Sequence, residues 1–191
     1  MHTVVVGGGF GGIKTALELS QRSGHQVTLI SSEDTFVHHA MLPLVAVGMA
    51  PDEARFSIAE LFADHDNVEF IHARLESIDV KSKTVQYGES TLAYDSLVLA
   101  LGSGDNYFDM KDVERYAHSI GDVDKAKNLY MRLNKSSADL KVAVVGGGCA
   151  GVELAAALAT YLKGSPGSGH GKGRVALIEA SGRLLPGFSY S

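Results

Sequence analysis

The chain has 191 residues, 45% of them apolar and 20% charged, which is enough to bury a core as one large domain or two small ones. A formal net charge of −5 offers no broad positive field, so nucleic-acid binding has little support. The single cysteine, Cys149, excludes a disulfide framework and a CxxC redox pair within these residues.

The chain opens MHTVVVGGG, already inside a strand pattern, and no signal peptide is expected before it. HTVVVG is a short β-branched run that reads as a buried strand. Gly7, Gly9 and Gly12 follow as GxGxxG. Apolar residues at helical spacing then predict a helix from Gly11 to Ser23, with Gly24 as its C-terminal cap. HQVTLI is the next strand, which makes the unit β-loop-α-β. The physics asks for glycine at each of the three loop positions. The first permits a tight turn, the second lets a pyrophosphate approach the backbone, and the third lets helix and strand pack closely. The helix N-terminus then offers free N–H groups to the phosphates.

At the end of the second strand a carboxylate usually accepts hydrogen bonds from a ribose. Here the aligned residue is Ser31, followed by Ser32, and the nearest acid is Glu33, 21 residues after Gly12. The apolar run Ala40–Ala50 is too short to span a bilayer and contains Pro43. SIAE, from Ser57 to Glu60, is a capping box for a short helix. Leu75–Val80, Thr84–Tyr87 and Thr91–Ala93 read as a β-meander, and Tyr94–Ser103 as a buried strand ending in small residues. Val123, Ala126, Leu129, Tyr130 and Leu133 lie at helical spacing in a linker helix.

The opening pattern then recurs. KVAVVG is a strand, Gly146, Gly148 and Gly151 repeat the loop, GVELAAALATYLK is a helix, and RVALIE is the next strand. One GxGxxG is a weak signal, but two copies in the same strand–helix context suggest two dinucleotides. Glu179 ends the second strand of this copy and favours NAD over NADP, because a carboxylate repels a 2′-phosphate. Arg183, four residues on, would soften that preference. The spacing of 28 from Gly151 to Glu179 reflects a flexible insertion, GSPGSGHGKG at 164–173, which lacks the glycine and the Ser or Thr of a P-loop.

Two glycine loops, a meander and a strand ending ALGS resemble the flavoproteins with two dinucleotide-binding domains. LVLALGSGDNYF, GGGCAGVELA and VALIEASGRLLPGF are most similar to the type II NADH dehydrogenases in that group. The resemblance covers essentially the whole chain. It implies an α/β, Rossmann-like FAD/NAD(P)-binding fold with a β-meander and a second, incomplete βαβ unit. The expected organisation is an FAD-binding unit at 1–106, a connecting segment with a helix at 107–139, and an NAD(H)-binding βαβ unit at 140–191. A second unit of only two strands would leave an apolar sheet edge open.

Carried over residue by residue, the resemblance places the FAD pyrophosphate on Gly7, Gly9, Phe10, Gly11 and Gly12. Ser31, Ser32 or Glu33 would meet its ribose, and the backbone near Arg74 and Leu75 its adenine. Ala100, Leu101, Gly102 and the segment around Pro43 would lie by the flavin. Gly146, Gly148, Gly151 and Glu179 would bind NADH, with Glu153 near the nicotinamide. The implied activity is hydride transfer from NADH to FAD, with electrons passed to a quinone or other acceptor. The cofactors carry the redox step, so no side chain is singled out as catalytic and none as a metal ligand. The implied location is cytoplasmic, peripheral on the inner membrane face, with membrane contact through a C-terminal region beyond this sequence. A dimer is left open. Relatives of this kind are expected to be about twice as long, by the size that complete domains need, so the chain reads as a fragment. A non-catalytic nucleotide-binding fragment and a sulfide:quinone oxidoreductase-like flavoprotein are the alternatives.

The remaining residues of note have plainer readings. Cys149 fills a loop position that needs a small side chain. His38 and His39 point to opposite faces of an extended segment and suit one metal poorly. Glu153 reads as a first-turn carboxylate favourable to the helix dipole, and Lys14 as a solvated charge.

Overall fold

The computed structural model describes residues 1–135, 140–164 and 173–189. Most of the insertion, residues 165–172, lies outside the described residues. The chain divides into two compact units, Met1–His38 with Arg55–Gly104, and His39–Ala54 with Asp105–Ser191. Residues 39–54 therefore cluster with the later part of the chain, not with the rest of 1–106 as read from the sequence.

The first unit is built on four parallel strands in the order β5-β2-β1-β9. These are β1 (His2–Val6), β2 (Gln26–Ser31), β5 (Val68–His72) and β9 (Ser96–Leu99), with α1 (Phe10–Ser20) connecting the first two. Side chains alternate across the sheet. Val5, Val27 and Leu29 pack with Ile13 and Ala16 of α1 on one face. Val4, Val6 and Ile30 face the other way, against Val85 and its neighbours. That second face is covered by the antiparallel meander β6 (Ser77–Asp79), β7 (Thr84–Tyr87) and β8 (Ser90–Ala93), so the central strands β1 and β2 are buried on both faces. A short antiparallel pair, β3 (Thr35–Val37) and β4 (Arg55–Ser57), leads into α3 (Ile58–Leu61). Ser57 caps α3 as expected: the Glu60 amide donates to Ser57 Oγ at 3.3 Å.

Two local readings are corrected. Helix α1 ends at Ser20, not Ser23, and Gly24 (φ +71°) belongs to the turn beyond it. Asn67 explains the early stop: its side-chain amide donates to the carbonyls of Ser20 (2.9 Å) and His25 (3.0 Å), taking over a helix-end acceptor. Strand β5 was not read from the sequence at all. Its pattern alternates weakly, and it becomes a strand by pairing with β2 from Val27↔Val68 to Ser31↔His72.

The second unit contains α2 (Leu42–Val45), α4 (Lys111–Tyr116), α5 (Val123–Lys135), β10 (Lys141–Val145), α6 (Cys149–Lys163) and β11 (Arg174–Ile178). Helix α5 buries Val123, Ala126, Leu129 and Leu133, the stripe expected of it. Strands β10 and β11 pair in parallel, and Val145 and Ile178 on them are 76% and 50% exposed.

Candidate functional site

Strand order places a switch point at β1, because β2 and β5 lie to one side of it and β9 to the other. Ligands of open α/β sheets bind at the carboxyl ends of the strands at such a point. The first glycine loop leaves β1 there. Gly7 has φ +110°, and its amide donates to Ile30 O at 2.8 Å. A Cβ at Gly7 would overlap the Ala100 carbonyl, and one at Gly12 would overlap the Gly7 carbonyl. Gly9, the N-cap of α1, would meet nothing within 4 Å. That open face lets a ligand reach the backbone. The α1 N-terminus has no side-chain cap and no acid in its first turn, so its leading amides suit an anion. Phe10 is 48% exposed and stands edge-on to Phe36 (4.9 Å) and His38 (5.1 Å).

The other first-unit candidates follow the ends of the same strands. Ser31 ends β2 and Ser32 and Glu33 follow it, Arg74 and Leu75 follow β5, and Ala100, Leu101 and Gly102 follow β9. Ser31 is buried, and its Oγ accepts from the Glu33 amide at 3.2 Å. Pro43 is buried in α2 of the second unit.

The second loop repeats the first. Gly146 has φ +108°, and its amide donates to Ile178 O at 2.8 Å. Gly148 is the open N-cap of α6, and a Cβ at Gly151 would overlap the Gly146 carbonyl. The amide of the fourth helical residue bonds back to the N-cap carbonyl in both copies, Ile13 to Gly9 (2.9 Å) and Val152 to Gly148 (3.0 Å).

Sequence reasoning passed over the middle glycine of each triplet. A Cβ on Gly8 would lie 2.6 Å from Ile58 Cδ1 and 2.7 Å from Ser31 Oγ. One on Gly147 would lie 2.7 Å from Leu184 Cδ2 and 2.8 Å from Glu179 Oε2. In each unit the residue ending the second strand therefore sits against the middle glycine. The signal was present as GGG in both copies, but the motif treats that position as free.

Glu179 has protein partners of its own. Its Oε1 accepts from the Ser181 amide at 2.7 Å and its Oε2 from the Gly147 amide at 2.5 Å. The Ser181 amide, then that of Gly147, holds this carboxyl below the usual carboxylate range. A carboxylate has about four acceptor positions, so acceptor capacity remains for a ribose. The following segment folds back as well: the Leu185 amide donates to Gly147 O at 2.8 Å. Ser181 Oγ donates to Arg183 O at 2.8 Å, and the Arg183 guanidinium to Pro186 O at 2.5 Å.

Glu153 is the fifth residue of α6, so it stands beyond the first turn where the sequence reading put it. It is exposed and lines a groove of about 870 Å³ with Pro43, Leu44, Ala157 and Tyr161. Cys149 is exposed at the first position of α6. Among the described residues, no group of three His, Cys, Asp or Glu side chains could hold a metal ion.

The family model for pyridine nucleotide-disulphide oxidoreductase matches residues 1–191. The chain is 34% identical to demethylphylloquinone reductase NdbB of Synechocystis sp., with 95% of this chain and 46% of that protein aligned. It is 27% identical to the type II NADH:quinone oxidoreductase of Staphylococcus saprophyticus, over 97% of this chain and 50% of that protein. The chain thus spans about half the length of the curated relatives it matches. Among solved structures, the sulfide:quinone oxidoreductase of Aquifex aeolicus aligns with a TM-score of 0.79 and 29% identity, covering 93% of this chain and 43% of that one. NDH2 from Plasmodium falciparum in complex with NADH shares the fold, with a TM-score of 0.80 at 24% identity over 98% of this chain and 43% of that one. The repeated loops thus have their counterpart in a match that runs from the first residue to the last, and the chain belongs to the pyridine nucleotide-disulphide oxidoreductase family.

Proposed function

We propose that the chain carries dinucleotide sites of an FAD-dependent oxidoreductase that takes hydride from NADH and passes electrons to a quinone-type acceptor. One observation carries the reading: two glycine loops of the same geometry, each with an open second glycine and an uncapped helix N-terminus. The names of the relatives, a demethylphylloquinone reductase and a type II NADH:quinone oxidoreductase, support the choice of donor and acceptor.

In this reading the amides from Gly9 to Gly12 bind the FAD pyrophosphate. Ser31, Ser32 and Glu33 face its ribose, and the Arg74–Leu75 backbone its adenine. Ala100, Leu101 and Gly102 belong to the flavin end. Gly146, Gly148 and Gly151 form the cradle for the NADH pyrophosphate, Glu179 accepts from its ribose, and Glu153 serves the nicotinamide end. The negative charge of Glu179 disfavours a 2′-phosphate, which selects NADH over NADPH. The flavin supplies the redox chemistry when bound, as an acceptor of hydride and a donor of electrons. The protein's part is to bind and orient the two dinucleotides.

Quinones dissolve in lipid, so the reading also puts the protein at the cytoplasmic face of a membrane, as a peripheral protein. Among the described residues, no helix is long and apolar enough to cross one. The test is spectroscopic. The purified chain is mixed with FAD, freed of excess, and examined for bound flavin absorbance near ~450 nm, a property of the cofactor. NADH added without oxygen should bleach that band. The chain spans about half the length of the curated relatives it matches, so flavin is expected to be weakly held; no FAD binding in a direct titration, or a flavin band that NADH leaves unchanged, counts against the reading.

A further inference from the structure

At the strand end of β2 the first unit has a serine where the second unit has Glu179. That serine, Ser31, is 6% exposed, and its hydroxyl already accepts from the Glu33 amide. Besides the Glu33 carboxylate, the neighbouring strand offers a ribose at the turn after β2 a further acceptor. Ser31 and His72 are register partners at the ends of β2 and β5. Adjacent strands lie about 4.8 Å apart, so the imidazole stands beside the turn.

Two successive residues of β5 and the segment after it stitch the turn in place. The Ala73 amide donates to Ser31 O at 2.9 Å, and His72 Nε2 lies 3.0 Å from Ser32 O. A carbonyl can only accept, so Nε2 carries the proton. In the neutral ring Nδ1 is then a bare acceptor, a tautomer set by the partner of the other nitrogen. Nδ1 has no hydrogen-bond partner among the described residues, and the side chain is exposed. The ring lies nearly parallel to that of Phe70, at 16° with centroids 6.4 Å apart.

We infer that His72 is a further adenosine-binding residue of the first site: Nε2–H anchors the ring to Ser32, and Nδ1 accepts a hydrogen bond from a ribose hydroxyl of the FAD adenosine. This rests on the assignment of FAD to the first loop. Nothing in the glycine-loop motif points to this residue, because it lies on a strand that the motif does not include.

The experiment is a binding titration of the wild-type chain, His72→Phe and His72→Gln. The ligands are FAD and an FAD analogue carrying 2′,3′-dideoxyadenosine, which lacks both ribose hydroxyls. His72→Phe keeps an aromatic ring beside Phe70 and removes both nitrogens. It should weaken FAD binding about fivefold to tenfold, the scale of one hydrogen bond. The preference for FAD over the dideoxy analogue should shrink by the same factor, as in a double-mutant cycle. His72→Gln, which offers an amide N–H and a carbonyl acceptor, should bind FAD within about twofold of wild type. A purely structural role would weaken both ligands equally, and that result overturns the inference. Unchanged FAD affinity in His72→Phe, or no rescue by glutamine, overturns it too. Failure of the wild-type chain to bind FAD at all would instead overturn the assignment of the first loop, and this inference with it.

Discussion

The amide of Gly147 donates to Oε2 of Glu179 across 2.5 Å, joining the second glycine loop to the end of the strand that follows its helix. In the first unit Ser31 occupies the matching place against Gly8, but its hydroxyl accepts from Glu33 instead. The second loop is thus clasped by a charge that the first loop lacks.

That clasp should depend on pH with a definite sign. The Ser181 and Gly147 amides lower the Glu179 pKa in the folded state from its ordinary value of 4.5. Its contribution is complete above that ordinary value and is lost as pH falls through the lower folded value. Nuclear magnetic resonance should show the Glu179 carboxyl and the Gly147 amide titrating together below 4.5. Titration of the carboxyl at or above that value would contradict the clasp.

Replacing Glu179 should also change cofactor preference. Glu179→Ser removes the repulsion of a 2′-phosphate together with an acceptor for ribose. NADH affinity should fall by about tenfold, roughly 1.4 kcal/mol, and the ratio of NADH to NADPH affinity should move toward one. An unchanged ratio in equilibrium titrations would show that the carboxylate does not select the dinucleotide.

The glycines of the first loop should separate into two groups. Gly9→Ala adds a methyl group to open space, so thermal stability should stay near wild type while FAD binding weakens. Gly8→Ala drives a methyl group against Ile58 and Ser31 and should cost about 1–3 kcal/mol of stability. Gly12→Ala meets a backbone carbonyl that cannot swing aside, and should be the most damaging of the three. Denaturant unfolding of the three variants tests the order.

Cys149→Ala should keep NADH affinity within about twofold, because the loop position asks only for a small side chain. A loss above about tenfold, roughly 1.4 kcal/mol, would show that the thiol takes part in binding.

Leu29→Ala should destabilise the first unit by about 2–5 kcal/mol, since Leu29 is fully buried under α1. The midpoint of denaturant unfolding measures it.

The sequence by itself determined both glycine loops, the meander, the Ser57–Glu60 cap and the α5 stripe. Each is written in residues close together in the chain, as a 3.6 or 2.0 period or as a glycine where no side chain fits. Tertiary structure decided what depends on distant partners. Val68–His72 becomes a strand only beside β2, and α1 stops at Ser20 because Asn67 takes its carbonyl. Residues 39–54 join the second unit through packing, including Gly48 against the ring of Tyr130. The need for glycine at 8 and 147 comes from Ser31, Ile58, Glu179 and Leu184, which reach those positions from 23 to 50 residues away along the chain. A spacing motif records the backbone's own requirements, and it has no means of recording what folds down on top of it.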